Sequence, residues 1–119
     1  MTKIIKAVNT YQATISLGLR EGYTETIHSI NEVKSCCQDY CNSVGLCITV
    51  TPTTFIYKDG NEDGCFVGFI NYPRFPSTPE EILNTASKIA NDLMIKFNQD
   101  KVSIICSDKT YMIENEKYI

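Results

Sequence analysis

The chain has 119 residues, with 14 acidic and 11 basic side chains, a formal net charge of -3 and 43% hydrophobic residues. This length and composition predict one domain over residues 1–119, with an ordered core from about residue 10 to about residue 114. The acidic balance argues against long nucleic acid as a partner. No apolar run approaches the roughly 20 residues of a membrane span, and no signal-peptide pattern opens the chain. We therefore expect a soluble, intracellular protein.

The six cysteines do not have the spacing of a metal site, because no two of them form a Cys-x-x-Cys pair. We predict reduced cysteines that act as small buried hydrophobes, with no metal and no cofactor. A cysteine nucleophile is the alternative. It would need His28, the one histidine of the sequence, as its base.

The first third of the chain predicts a strand and a helix. Apolar and polar residues alternate from Thr10 to Leu17, as they do in a half-buried strand. Ser29 and Glu32 form the Ser-x-x-Glu pattern of a capping box, so we expect a helix from Ile30. Gly45 is the expected left-handed stop of that helix.

A hairpin is predicted next. The alternating residues from Leu46 to Tyr57 indicate a second strand, and Pro52 requires either a bulge or an unpaired edge because proline has no N–H to donate. The run from Lys58 to Gly64 is rich in residues that tolerate positive φ, so we assign it to the turn. The third strand is predicted from Cys65 to Asn71.

The last third predicts a long helix and two strands. Thr78 and Glu81 repeat the capping-box pattern with Pro79 at the first helical position. The helix is expected to run to about Phe97, with Asn98 capping its end, on an apolar face formed by Ile82, Ala86, Ile89, Ala90, Leu93 and Phe97. Strands are predicted at 102–106 and 110–113, followed by a tail.

This order of elements predicts an α+β, ferredoxin-like β-α-β-β-α-β fold with a short carboxy-terminal strand. Both helices then cover the same face of an antiparallel sheet, which leaves the other face open. The side chains expected there are mostly polar but uncharged, so we predict that this face forms a homodimer; they are Gln12, Thr14, Ser16, Thr49, Thr51 and Phe66 or Ile70.

The turn NYPRFP, from Asn71 to Pro76, is the best candidate for a ligand site. It leads directly to a helix amino terminus, which favours anions, and Arg74 can add a bidentate contact to the same anion. Tyr72 and Phe75 can stack on a ring, and Asn71 can pair with the edge of a heterocycle. The alternative is structural: the prolines stiffen the link, Phe75 fills the core and Arg74 makes a surface salt bridge.

Other cations lie beside loops or strand ends, namely Arg20, Lys58 and Lys109, and each alone is typical of a solvated charge. The sequence offers no glycine-rich phosphate loop, no Ser-His-Asp set and no clear pair of carboxylates. We therefore predict a binding protein with no catalytic residues.

Four segments together resemble the phage-encoded Thoeris anti-defence sponges of the first-described type. They are TYQATI, VGLCITVTPTTFIY, VGFINYPRFPSTPEEI and VSIICSDKTYMIE, in this order, between Thr10 and Glu114. The resemblance implies a non-enzymatic protein in the host bacterial cytoplasm. It would sequester cyclic ADP-ribose signals, chiefly the glycocyclic kind made by TIR-domain defence proteins, and release them intact.

The resemblance also implies homo-oligomers built from dimers, in some members hexamers, and in some members a second site for cyclic oligonucleotides of CBASS defence. With it we assign the ligand to Asn71, Tyr72, Arg74 and Phe75, and in second place to Arg20, Phe55, Lys58 and Lys109. Two alternatives stay open: a ferredoxin-like adaptor or assembly module that docks a protein on its sheet, and a small nucleotide-processing enzyme.

Overall fold

A computed structural model describes residues 2–118. Its strands are β1 (Gln12–Gly18), β2 (Thr49–Tyr57), β3 (Gly60–Ile70), β4 (Lys101–Cys106) and β5 (Thr110–Glu114), and its helices are α1 (Ile30–Val44) and α2 (Pro79–Lys96). The strands form one sheet in the order β2-β3-β1-β4-β5, and every neighbouring pair is antiparallel. The predicted α+β, ferredoxin-like fold is confirmed.

Both helices begin at the capping boxes seen in the sequence. The Ser29 N–H donates to the Glu32 carboxylate at 2.6 Å, and the Glu32 N–H donates back to the Ser29 hydroxyl at 3.3 Å. Thr78 and Glu81 repeat this exchange at the start of α2. Gly45 ends α1 with a φ of 69°, the left-handed conformation that glycine adopts at no steric cost. These local signals set the helix boundaries.

The core lies between α2 and the covered face of the sheet. Alternate residues of β1 are fully buried there, as are Val67 and Ile104 on its two neighbouring strands. Helix α2 supplies the other half with an apolar face that includes Ile89, Leu93 and Met94. Burial of these side chains from water is the main favourable contribution to folding. The opposite face of the sheet remains uncovered within residues 2–118.

The hairpin differs from the prediction. Only Lys58 and Asp59 form the turn, and Asp59, with a φ of 61°, supplies its left-handed conformation, so the turn is much shorter than the predicted run from Lys58 to Gly64. Strand β3 therefore begins at Gly60, five residues earlier than predicted. Strand β2 begins at Thr49 and runs without interruption through Pro52, as the sheet's edge position allows.

The end of the chain is more ordered than the predicted tail. The Asn115 side chain is buried and donates to the Gln99 carbonyl at 3.1 Å, and a short 3-10 helix follows over Glu116–Tyr118. Helix α2 ends at Lys96 and Phe97 is its cap, while Asn98 has a φ of 53°. Of the helices within residues 2–118, none is long and apolar enough to cross a membrane.

Candidate functional site

The two ends of the sheet carry different chemical groups. The turn end holds residues 71–76 after β3 and the β4–β5 turn. The loop end holds the β1–α1 connection, residues 19–29, and the β2–β3 turn. Strand β3 has 11 residues and joins the two ends, which separates them by about 35 Å. Residues at opposite ends therefore cannot contact one small ligand.

Asn71 holds the NYPRFP turn in shape. Its side-chain amide donates to the Asn9 carbonyl at 2.9 Å, and its side-chain oxygen accepts from the Ser77 N–H at 2.8 Å. Its backbone N–H donates to the Tyr11 carbonyl at 3.0 Å. Both polar ends of the amide are thus engaged within the protein, so Asn71 acts as a brace for this turn.

A cavity of about 400 Å³ lies beside the same turn. We call it the turn pocket; its lining includes Cys47, Phe69, Tyr72, Phe75, Ser77, Glu81 and Thr85. Of the four residues assigned to this site from the sequence, Tyr72 and Phe75 line the cavity. Arg74 does not, and it is exposed with its guanidinium carbon 5.5 Å from the centroid of the Phe75 ring.

The other residues named from the sequence do not join the turn pocket. Phe55 lies on the uncovered face of the sheet, edge-on to Phe66 with 6.0 Å between ring centroids. Lys58 is exposed in the β2–β3 turn. Lys109 is exposed in the β4–β5 turn, and its backbone carbonyl accepts from the Cys106 N–H. Only Arg20 of this second group lines a cavity, and that cavity is at the loop end.

The loop end contains a cleft of about 470 Å³ between residues 19–30 and strands β2 and β3. We call it the loop cleft. Its apolar lining is Leu19, Ile27, Ile30 and Pro52, and its polar lining includes His28, Ser29, Thr53, Thr54 and Asp63. A smaller cavity of about 70 Å³ adjoins it, shares Ile27 and Asp63, and adds Arg20, Asn61 and Glu62.

Arg20 is held in place through its backbone. It forms an antiparallel bridge with Ile27, and its carbonyl accepts from the Gln99 side-chain amide at 2.7 Å. Its side-chain Nε is buried and has no hydrogen-bond partner within residues 2–118. A buried guanidinium N–H without an acceptor is costly. An anionic group of a ligand would satisfy it.

His28 forms the wall of the cleft between two carboxylates. Its Nε2 lies 2.8 Å from Glu21 and its Nδ1 lies 3.3 Å from Glu32, while its ring stacks on Phe97. The Asn98 amide donates to the other oxygen of Glu21 at 2.9 Å. This hydrogen bond, and then the contact with His28, hold the pKa of Glu21 below its ordinary value.

None of the six cysteines within residues 2–118 forms a disulfide, and burial raises the pKa of four of their thiols. It raises the pKa of Cys37 to about 12 and that of Cys65 to about 11, so these thiols are inert packing groups. Cys47 differs because it is exposed at the turn pocket. A hydrogen bond with its thiol, followed by burial, raises the pKa of Tyr72. No cluster of potential metal ligands occurs within residues 2–118.

Comparison with protein-family models and with curated proteins finds no match for this sequence. Two solved structures are similar. One is a phage SAM lyase in complex with S-methyl-5'-thioadenosine, with a TM-score of 0.81, 16% identity and 100% of both chains covered. The other is a phage SAM lyase in its apo state, with a TM-score of 0.75, 16% identity and coverage of 96% of this chain and 98% of that one.

These neighbours contradict the function predicted from the sequence. Both are named as enzymes, and neither is named as a sponge. The predictions of a cyclic ADP-ribose sponge in Thoeris defence, and of a protein without enzyme activity, are therefore wrong. The geometry agrees, because Arg74, the cation assigned to the ligand's phosphates, lies outside the lining of the turn pocket. With no matching family model, the sequence resemblance itself stays a prediction.

Sequence reasoning missed most of the loop cleft. Glu62 and Asp63 were assigned to a turn, but they belong to β3. The cleft forms where the first loop packs against the hairpin, a contact between residues far apart in the sequence. The one available signal was Arg20, a single cation in a polar loop.

Proposed function

We propose that this protein is a lyase that cleaves S-adenosylmethionine (SAM) and releases S-methyl-5'-thioadenosine. The observation that carries the proposal is the similarity over the full length of both chains to a SAM lyase bound to S-methyl-5'-thioadenosine. At 16% identity this similarity establishes the fold. The assignment of the activity and the site rests on the charges within the cavities.

The loop cleft suits SAM better than the turn pocket does. SAM carries two positive groups, its sulfonium and its ammonium, and one carboxylate. The loop cleft and its adjoining cavity offer the carboxylates Asp63 and Glu62 together with the guanidinium of Arg20. The lining of the turn pocket includes one carboxylate, Glu81, and no cation among the described residues. Asp63 lines both the loop cleft and its adjoining cavity, whereas Arg20 and Glu62 line the adjoining cavity, so both signs of charge are present only where the loop cleft meets that cavity.

Across the loop cleft and its adjoining cavity, each part of SAM has a group that can hold it. The buried Nε of Arg20 takes the substrate carboxylate, because a charged acceptor is the strongest partner for a guanidinium. Asp63, which lines both cavities, stabilises the sulfonium, and Glu62, which lines the adjoining cavity from the other face of β3, takes the ammonium. The hydroxyl of Thr54, which lies opposite Asp63 on the same face of the hairpin, is available to the ribose, and the apolar wall at Ile27 and Pro52 is available to the adenine.

The reaction balances without water or a cofactor. The bond between sulfur and the four-carbon chain breaks, and its electron pair stays on sulfur to give the neutral thioether. The four-carbon fragment then either bonds to its own carboxylate oxygen, which gives a lactone, or loses a neighbouring proton to a base, which gives an alkene. Positioning is the main demand on the protein, because the sulfonium is already a good leaving group. Asp63 is the group in the cleft that can accept the proton of the second route.

The direct test is incubation of the purified protein with SAM, followed by liquid chromatography and mass spectrometry. We expect S-methyl-5'-thioadenosine and one equivalent of the four-carbon product, and hydroxylamine will trap that product if it is a lactone. S-adenosylhomocysteine, which lacks the sulfonium, should remain intact. SAM recovered unchanged after long incubation with folded protein would overturn the proposal.

Arg20→Ala tests the placement of the site. Loss of a charged hydrogen bond should cost about 1.5–3 kcal/mol, or about 10- to 100-fold in kcat/KM for SAM. Binding of S-methyl-5'-thioadenosine should hardly change, because this molecule has no carboxylate. Lys58→Ala is the control, since Lys58 is an exposed cation outside the cleft lining. Equal kinetics for Arg20→Ala and the wild type would place the site elsewhere.

The predicted homo-oligomer and the host bacterial cytoplasm are part of this proposal, and no long nucleic acid or membrane takes part in it. A phage protein that depletes SAM must meet it where the host makes and uses it, which is the cytoplasm. The second copy is proposed on the uncovered sheet face. Its middle positions, such as Thr14, Ser16 and Gly68, carry no charge, so two copies can meet there without opposing like charges.

A further inference from the structure

We infer that the turn pocket is a second ligand site, which takes an uncharged, amino-bearing heteroaromatic ring such as the base of a nucleoside without phosphate. The pocket lies at the opposite end of β3 from the loop cleft. Its occupancy does not depend on whether the loop cleft cleaves SAM. Three features of its walls support this assignment: the rigidity of the turn, an exposed aromatic ring and the absence of a cation from the described lining.

The walls of the turn pocket are rigid before any ligand arrives. The Phe75 N–H donates to the Tyr72 carbonyl at 2.9 Å, which closes the turn, and Pro73 and Pro76 fix its backbone. Asn71 braces the turn on both sides through its amide. A ligand therefore does not have to order this segment, and its binding carries a smaller entropic cost.

The Phe75 ring has no role in the core. Its side chain is 63% exposed, although the turn that carries it is fixed at the mouth of the cavity. Tyr72, on the same turn, contributes a second ring to the lining. Aromatic rings held in this way provide stacking surfaces for a planar ligand, worth about 0.5–1.5 kcal/mol per pair beyond the buried area.

The polar groups of the lining are suited to a ligand that donates hydrogen bonds. The lining offers the carboxylate of Glu81 and the hydroxyls of Ser77 and Thr85, and it contains no lysine, arginine or histidine among the described residues. Glu81 uses Oε1 to accept from the Thr78 N–H at 3.3 Å, which leaves Oε2 for an exocyclic amino group. A phosphate would lie near this carboxylate with no cation in the described lining to offset the repulsion, so phosphorylated ligands are disfavoured.

Cys47 provides a readout that belongs to this cavity alone. It lines the turn pocket and is exposed. The rate at which iodoacetamide alkylates it can be followed by peptide mass spectrometry while adenosine or AMP is added. We expect saturating adenosine to slow the alkylation of Cys47 by about tenfold, and AMP to have at most a small effect at the same concentration.

Two variants identify the source of that protection. Phe75→Ala should abolish protection by adenosine, and because Phe75 is mostly exposed, circular dichroism and the melting temperature should change little. Tyr23→Ala removes a fully exposed aromatic ring at the other end of the molecule and should retain full protection. The inference is overturned if adenosine leaves the alkylation rate unchanged, if AMP protects equally, or if Phe75→Ala remains protected.

Discussion

Glu21 ties together three segments that are distant in the sequence. One carboxylate oxygen contacts His28 at 2.8 Å, and the other accepts from the Asn98 amide at 2.9 Å. Asn98 in turn accepts from the Lys117 ammonium at 3.0 Å and the Tyr118 hydroxyl at 2.6 Å. The first loop, the end of α2 and the carboxy-terminal turn therefore share one polar network. The wall of the loop cleft depends on that network, because His28 is part of both.

We predict that this network weakens in acid. The pKa of Glu21 in the folded protein lies below the ordinary value of 4.5, chiefly because of the Asn98 hydrogen bond. The stabilisation that the Glu21 carboxylate gives the folded protein is therefore complete above the pKa of Glu21 in the unfolded chain. It is lost as the pH falls through the lower pKa of Glu21 in the folded protein. Urea unfolding from about pH 7 to about pH 3 should show Glu21→Gln to be less stable at neutral pH and less sensitive to acid than the wild type.

The control for this prediction is Glu25→Gln in the same loop. Glu25 is exposed and makes no side-chain hydrogen bond within residues 2–118, so its substitution should leave the dependence of the unfolding free energy on pH unchanged. If Glu21→Gln and Glu25→Gln follow the same curve as the wild type, the network does not contribute to stability.

At the scale of the elements, three glycines on the uncovered face of β3 let the side chains of β2 lie across it. A Cβ at Gly60 would be 2.6 Å from the Tyr57 ring, and one at Gly68 would meet the Thr49 hydroxyl. At Gly64 the space is taken by the Phe55 ring, and the Leu17 carbonyl lies 2.6 Å away. The hairpin thus packs against itself on the uncovered face, and Gly64 is the one of these glycines that also lines the loop cleft.

Gly64→Ala should consequently destabilise the fold. The added methyl must displace the Phe55 ring and cannot move the Leu17 backbone easily, so we expect a loss of about 1–3 kcal/mol in the unfolding free energy. Ile56→Ala, on the adjacent strand with 82% exposure, should stay within about 0.5 kcal/mol of the wild type. Chemical unfolding at neutral pH measures both, and a neutral Gly64→Ala would show that the hairpin relaxes freely.

The elements that sequence reasoning located well are those specified by local chemistry. The caps at Ser29 and Thr78 involve residues three positions apart. In β1, the alternation of apolar and polar residues predicts which side chains are buried. The start of β3 was misplaced because every residue from Lys58 to Gly64 tolerates a turn or favours one, whereas Lys58 and Asp59 alone form it. Side-chain direction at Arg74 and the meeting of Arg20 with Glu62 depend on tertiary packing, which no local pattern encodes.

At the scale of the whole molecule, the uncovered sheet face is a surface to which the cavities described above assign no role. Three of its exposed apolar residues lie on three strands, each opposite a polar residue of the neighbouring strand: Ile70 opposite Gln12, Ile105 opposite Thr14, and Met112 opposite Ser103. Ile70, Ile105 and Met112 are 42%, 43% and 65% exposed in the single chain. Charged positions of the face, Lys101 and Glu114, pair with each other near its edge at 3.5 Å.

The substitution Ile105→Glu tests whether a second copy of the chain binds to this face in the proposed homo-oligomer. The new carboxylate would be buried between subunits without a partner, which costs several kcal/mol and should shift the protein towards folded monomer. Ile95→Glu introduces the same charge on α2, where the side chain is 59% exposed and faces away from the sheet surface, so its assembly should match that of the wild type. Size-exclusion chromatography with light scattering measures the masses. A monomeric wild type, or equal masses for all three proteins, would assign the face to solvent or to another partner.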